Sequence, residues 1–259
     1  MFPGTQSTEI IHQISLCVPL RLCALAVRSL CEISPSSFLR GESPNPSYIR
    51  FIKKIIPLIA LACLSISAHR PSAKGFVSIF DGKSFDGWKV GKNAASFKIE
   101  DGAIAVHGEV GHLYYDGPVM SHLFTNVEIK LDIMTTPGSN SGVYFHTSYQ
   151  DEGWPQKGYE VQVNNSHTDW RRTGSLWAIQ DVKETPVKDN EWFTMHIKVK
   201  GKLVTILLND KIVVEYTEPE NVQRPKGMEQ RLIDKGTFAL QAHDPKSKVY
   251  FKNIKVKAW

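Results

Sequence analysis

The feature that most constrains the fold is an alternation of side chains with period two. Val127-Glu-Ile-Lys-Leu-Asp-Ile-Met places apolar and polar residues in turn over eight positions. Successive side chains of an extended chain point to opposite faces, so this segment reads as a strand with one face in a core and one in water. Met195-His-Ile-Lys-Val-Lys and Val249-Tyr-Phe-Lys-Asn-Ile-Lys-Val-Lys alternate in the same way. Leu203-Val-Thr-Ile-Leu-Leu is nearly continuously apolar, as expected of a strand covered on both faces. Asp81-Gly82, Asp86-Gly87, Asp101-Gly102, Pro137-Gly138 and Asn209-Asp210 supply tight-turn chemistry between such runs, the last as a two-residue hairpin. No stretch beyond residue 74 repeats apolar residues at i, i+3, i+4 and i+7. About a dozen short strands with frequent turns predict an all-β fold, a two-sheet antiparallel β-sandwich of jelly-roll type with at most a turn or two of helix. No linker or internal repeat interrupts 74–259, which is read as one domain.

The amino-terminal quarter is expected to lie outside that domain. Lys53 and Lys54 precede the apolar run Ile55–Ser67, and small residues follow at Ser65, Ser67 and Ala68. A basic stretch, a short apolar core and a small-residue exit form the layout of a secretory signal peptide, here 49–73. The run is too short for a stable membrane span, which needs about 20 residues. The mature chain is expected to begin near Lys74 and to be exported, periplasmic or extracellular. Residues 1–48 then read as an upstream segment, from a start assigned too early or disordered. All four cysteines, Cys17, Cys23, Cys31 and Cys63, fall before residue 64, which excludes a disulfide scaffold, a thiolate metal site and a cysteine nucleophile from the main domain. The formal net charge of +5 is spread without a basic run, so no nucleic-acid partner is expected.

Three predicted strands carry unusual polar faces. In Gly142-Val-Tyr-Phe-His, Tyr144 and His146 alternate with Val143 and Phe145. In Gly158-Tyr-Glu-Val-Gln-Val-Asn, Glu160, Gln162 and Asn164 oppose Tyr159, Val161 and Val163. In Phe238-Ala-Leu-Gln-Ala-His, Gln241 and His243 oppose Leu240 and Ala242. An ordinary solvent-facing strand carries Lys, Glu and Thr, whereas these faces carry histidine, amide, phenol and one carboxylate. Planar amides bond vicinal hydroxyls and aromatic rings stack on C–H faces, a combination suited to sugars. Trp154, Trp170 and Trp177 flank these strands as candidate sugar platforms. If the strands lie side by side, Tyr144, His146, Glu160, Gln162, Gln241 and His243 share one patch.

With these residues in view, the chain resembles the 3-keto-disaccharide hydrolase domain family over about residues 75–259. The opening Phe80-Asp-Gly-Lys-Ser-Phe-Asp-Gly-Trp is followed in the family's order by Asn140-Ser-Gly, Gly158-Tyr-Glu-Val-Gln, Thr173-Gly-Ser-Leu-Trp, Glu191-Trp192, Asn209-Asp210, Leu240-Gln-Ala-His-Asp and Phe251-Lys-Asn-Ile. The resemblance implies a concanavalin A-like jelly roll. It also implies an oligosaccharide or glycoside substrate first oxidised at C3 by a separate sugar 3-dehydrogenase. The family's Gly-x-Glu-x-Gln falls on Gly158, Glu160 and Gln162, and its Leu-Gln-x-His on Leu240, Gln241 and His243. Many members carry Asp where this chain has Asn164, and Gly where it has Asp244.

The carboxylates argue against an ordinary retaining glycosidase. The Glu-x-Asp-x-x-Glu strand of laminarinase-type jelly rolls would correspond to Glu160, Gln162 and Asn165, which leaves one carboxylate where two are needed. A C3 ketone relaxes that demand, because it acidifies the C2 proton. Its loss gives an enolate that expels the C1 substituent, and water can add back. One base and a donor for the enolate oxygen then suffice. His146 or Glu160 is the expected base, and Gln162, Gln241 or His243 the expected donor. Asn140 and Trp177 complete the expected substrate contacts. No cofactor is required by this route, although a divalent metal on Glu160 with His146 or His243 is a further option. The competing expectation is a lectin-like jelly-roll module that binds glycan without cleaving it.

Overall fold

The computed structural model describes residues 75–259. The expected signal peptide at 49–73 and the segment 1–48 lie outside the described residues. Thirteen strands and two short 3-10 turns, Ala94–Ser96 and Val119–His122, account for the regular structure of the described residues. The strands are β1 Val77–Ser78, β2 Trp88–Val90, β3 Phe97–Glu100, β4 Ala103–Val106, β5 Gly111–Tyr115, β6 Val127–Thr135 and β7 Ser141–Thr147. They continue as β8 Tyr159–Val163, β9 Phe193–Lys200, β10 Leu203–Leu208, β11 Lys211–Thr217, β12 Thr237–Ala242 and β13 Val249–Ala258. No described helix is long and apolar enough to cross a membrane.

Two antiparallel sheets form the expected sandwich. The larger runs β11-β10-β9-β6-β13-β4-β3, with β1 also on β13, and the smaller runs β2-β5-β12-β7-β8. The alternation in β6 becomes a strict alternation of burial, with Val127, Ile129, Leu131 and Ile133 in the core and Glu128, Lys130, Asp132 and Met134 at least partly exposed. From the smaller sheet, Leu113, Tyr115, Val143, Phe145, Val161, Val163, Phe238 and Leu240 meet them in one hydrophobic cluster. The continuously apolar β10 buries Val204, Ile206, Leu207 and Leu208, while Leu203 and Thr205 are half-buried. Asn209 (φ 47°) and Asp210 (φ 63°) take the left-handed backbone that a two-residue hairpin requires, and β10 pairs with β11 as expected.

Strand β8 ends the smaller sheet, and an open edge there would expose its amides. Residues 174–177 close it. Gln162 N–H donates to the Ser175 carbonyl, Gly174 N–H to that of Gln162, and Trp177 N–H to that of Glu160, each at 3.0 Å. The loop leading there is organised by Asn164. Its Nδ2 donates to the carbonyls of Asp169 (3.0 Å) and Arg171 (2.7 Å), and its Oδ1 accepts from His167 N–H (2.8 Å). A carboxylate has no hydrogen to donate to those carbonyls, so the amide at this position belongs to the loop's architecture.

Candidate active site

The pleat that sends Val143, Val161 and Leu240 into the core sends their neighbours to the opposite face of the smaller sheet. Tyr144 lies across from Glu160, Gly142 across from Gln162, and Gln241 across from His112 of β5. Loops roof this face and leave a pocket of about 650 Å³ lined by, among others, Asn140, Tyr144, Glu160, Gln162, Gln241 and His243. Trp177 lines it as well. Seven of the eight residues expected from the sequence are therefore brought together.

The eighth, His146, is not. It sits at the end of β7 with φ 55°, where the register between β7 and β12 shifts. This bulge breaks the alternation that would have placed His146 beside Tyr144. The backbone of His146 lies against Gly158 and Gly236, where a Cβ would overlap it. Its ring is fully buried near Phe145, and burial lowers its pKa to about 4. Neither ring nitrogen finds a hydrogen-bond partner among the described residues. His146 belongs to the fold, and the expectation that it reaches the substrate is corrected.

Glu160 lies in the floor of the pocket. Its Oε2 accepts from the Tyr144 hydroxyl at 2.8 Å and its Oε1 from Gln241 Nε2 at 3.1 Å. Burial pushes its pKa up, and the Tyr144 hydrogen bond and the nearby Arg231 charge offset only part of that. Burial, followed by the Glu160 charge, pushes the Tyr144 phenol well above its ordinary value. Gly142 is required here because a Cβ would overlap the Glu160 carboxylate. The expected role of Gln162 and Gln241 as free donors is also corrected. Gln241 Nε2 already bonds Tyr144 (2.9 Å) and Glu160, and Gln162 Nε2 already bonds Asn140 Oδ1 and the Ser141 carbonyl. Both amides hold the site rather than offer hydrogens to a ligand.

His243 follows β12 directly. Its Nδ1 faces Asp244 Oδ2 at 2.8 Å and its Nε2 faces Asn140 Nδ2 at 3.3 Å. Trp154, 45% exposed, forms a wall with its ring centroid 5.4 Å from His243 and 5.7 Å from His112. Trp177 is flanked by the guanidiniums of Arg231 (4.8 Å) and Arg171 (5.1 Å). Trp170 stands outside the pocket lining and carries Arg171 on its ring. No group of three or more His, Cys, Asp or Glu among the described residues is arranged to hold a metal ion.

Sequence reasoning missed two residues. His112 alternates with Leu113 as Tyr144 does with Val143, so the pattern carried a signal for it. Burial, with His243 nearby, lowers its pKa to about 3, so it stays neutral. Arg231 comes from the irregular segment 218–236, which has no period to read. It is only 7% exposed, lines the pocket, and its guanidinium makes no hydrogen bond among the described residues. A buried cation without a bonded partner is well placed to meet negative charge on a ligand.

Known proteins share this fold. The sequence pattern of the 3-keto-alpha-glucoside-1,2-lyase-like domain matches residues 75–257. A curated relative from Bacteroides thetaiotaomicron, named 3-keto-disaccharide hydrolase, is 31% identical over 173 residues, covering 56% of this chain and 59% of the relative. The alignment thus spans under two thirds of that relative's length. A solved candidate glycosyl hydrolase from Parabacteroides distasonis superposes with a TM-score of 0.62 at 24% identity, covering 72% of this chain and 95% of its own. A Bacillus subtilis protein with a galectin-like fold superposes with a TM-score of 0.51 at 9% identity, covering 71% and 95% respectively. The sandwich is shared across these structures, and by its match over residues 75–257 the chain belongs to the 3-keto-alpha-glucoside-1,2-lyase-like domain family.

Proposed function

We propose that this pocket is the active site of a carbohydrate-cleaving enzyme that acts on glycosides already oxidised at C3. The observation that carries the reading is the placement of a buried carboxyl, Glu160, and an imidazole, His243, in one pocket walled by Trp154 and Trp177. The family membership and the name of the Bacteroides relative support it.

In the proposed reaction His243 Nε2 takes the C2 proton, and the C–H electron pair forms the C2=C3 bond of an enolate. Arg231, the cation without a bonded partner, meets the developing charge on the C3 oxygen. The enolate then collapses to restore the C3 carbonyl. The C1–O bond breaks, C1=C2 forms, and the departing oxygen takes a proton from the Glu160–Tyr144 pair. Burial suits Glu160 to this task, because it raises the carboxyl's affinity for a proton. Release at this stage is a lyase outcome. Addition of water to C1, with a proton to C2, completes a hydrolysis. The C3 oxidation belongs to an earlier enzyme, a sugar 3-dehydrogenase, so the cleavage itself needs no redox cofactor.

The test is a 4-nitrophenyl 3-keto-α-glucoside deuterated at C2. A rate-limiting proton transfer from C2 predicts slowed turnover of the deuterated probe, or exchange of the label with solvent in recovered substrate. Cleavage whose product keeps the C2 deuterium in full would exclude the elimination route.

A further inference from the structure

Asp244 stands next to His243 in a turn, and its carboxylate bonds His243, Lys246 and Ser247 rather than the strand residues of the pocket. A chain of hydrogen bonds nevertheless links it to the pocket floor, and both ends of that chain are pinned by backbone groups. At one end, Gln162 Nε2 bonds the Ser141 backbone carbonyl at 3.2 Å. A carbonyl only accepts, so this atom of Gln162 is a donor. The Asn140 oxygen that it also meets is then an acceptor, and Asn140 Nδ2 is left to donate. Asn140 Nδ2 faces His243 Nε2 at 3.3 Å and His167 Nδ1 at 3.4 Å. His167 Nδ1 also accepts Asp169 N–H at 3.1 Å, in keeping with Nδ2 as the donor.

At the other end, the Asp244 carboxylate is held by two backbone amides and one hydroxyl. Its Oδ1 accepts Lys246 N–H (2.8 Å) and Ser247 N–H (3.2 Å), and its Oδ2 accepts the Ser247 hydroxyl (2.7 Å). Burial would raise this carboxyl, but the Ser247 and His243 side chains and the Lys246 amide together hold it down to about 2. It is therefore ionised near neutral pH and can only accept. The two ends meet at one imidazole. Facing a donor at Nε2 and an acceptor at Nδ1, the neutral ring satisfies both neighbours as the Nδ1–H tautomer.

We infer that Asp244 is a positioning residue that locks His243 in the Nδ1–H tautomer, leaving the Nε2 lone pair directed at the pocket as the proton acceptor. The hydrogen bond to Asp244 also stabilises the imidazolium that forms once the proton is taken. This rests on the functional reading above in giving His243 the base's role. The tautomer itself rests on the hydrogen-bond chain alone. The long 3.3 Å contact from Asn140 marks the lone pair without filling it tightly, so a substrate C–H can take its place.

The experiment uses the full chain, wild type and Asp244→Asn. Asparagine keeps an oxygen for the Lys246 and Ser247 amides, so the turn survives, but it presents NH2 where Oδ2 accepted from His243. Two measurements are made. The first is the 15N spectrum of His243 near neutral pH, assigned by its loss in His243→Gln. The second is steady-state turnover of the 4-nitrophenyl 3-keto-α-glucoside. Wild type is expected to show a protonated Nδ1 and an unprotonated Nε2. In Asp244→Asn the proton is expected to move to Nε2. The kcat should fall by about 10²-fold or more, the scale for losing a positioned base, while KM changes far less. A wild-type ring protonated at Nε2, or an Asp244→Asn enzyme that keeps the Nδ1–H tautomer or its turnover, overturns the inference. The expected tautomers in a wild-type enzyme that never turns over the probe would uphold the lock and overturn the functional reading instead.

Discussion

Replacing Glu160 with glutamine separates chemistry from architecture. The substitution keeps shape and removes the ability to hold and release a proton. Glu160 accepts two hydrogen bonds, from Tyr144 at 2.8 Å and Gln241 at 3.1 Å. A glutamine retains one acceptor, which serves Tyr144. Its new NH2 then faces Gln241 Nε2 donor to donor, a mismatch relieved only if the Gln241 amide turns over to present its Oε1, which has no partner among the described residues. The structural loss is therefore bounded by the cost of one imperfect buried hydrogen bond, about 1–3 kcal/mol. Opposing it is the removal of a buried ionisable group. Because burial raises the folded-state pKa of Glu160, the folded protein holds this proton more tightly than the unfolded chain does. Its contribution is fully present below the unfolded carboxyl value and is lost as pH rises through the folded one. The variant has no such loss. Its Tm relative to wild type should therefore improve between pH 4 and pH 8. Turnover of a 3-keto-glycoside should fall by about 10²-fold or more at every pH. Thermal denaturation at the two pH values and initial rates on the oxidised probe supply both readings. Normal turnover, or a Tm difference that is flat or moves the other way, would refute the reasoning.

Further outcomes follow from the same geometry. Gly142→Ala places a Cβ against the Glu160 carboxylate, and should leave a folded protein with turnover reduced at least about tenfold, as for other small displacements of catalytic groups. Normal rates would mean that Glu160 moves aside harmlessly. Trp154→Ala should raise KM about tenfold, the scale of one lost aromatic platform, and change kcat less. An unchanged KM would remove Trp154 from the substrate's path. His146→Asn keeps a residue that tolerates left-handed backbone, and should lower stability by about 1–3 kcal/mol while sparing turnover. A collapse of kcat in a folded variant would return His146 to the site. Export predicts that the native protein starts between about residues 66 and 76, and peptides from 1–48 in native material would contradict it.

How far the sequence carried can be seen residue by residue. The alternation in β6 and the Asn209-Asp210 turn were legible because burial and turn geometry act locally and leave a period. Glu160, Gln162, Tyr144 and Gln241 were legible for the same reason, since each alternates with a core residue on its own strand. His146 obeyed the same pattern and broke it in space. A bulge is set by the register between two strands, and neither strand's sequence records it. Arg231 enters the pocket from an irregular loop, where no periodicity says which side chain turns inward. Asp244 was visible as a departure from the family's glycine, but its bond to His243 depends on a turn that only the fold closes.

The most direct test of the central claim compares matched glycosides that differ only in oxidation at C3. Purified protein is incubated with a 3-keto-disaccharide and with its unoxidised parent, and the products are separated and identified. Cleavage of the oxidised sugar with no cleavage of the parent is the expected result, because only the ketone makes the C2 proton removable. Equal cleavage of both, or binding of both without cleavage, would contradict the account; the latter would make the protein a lectin.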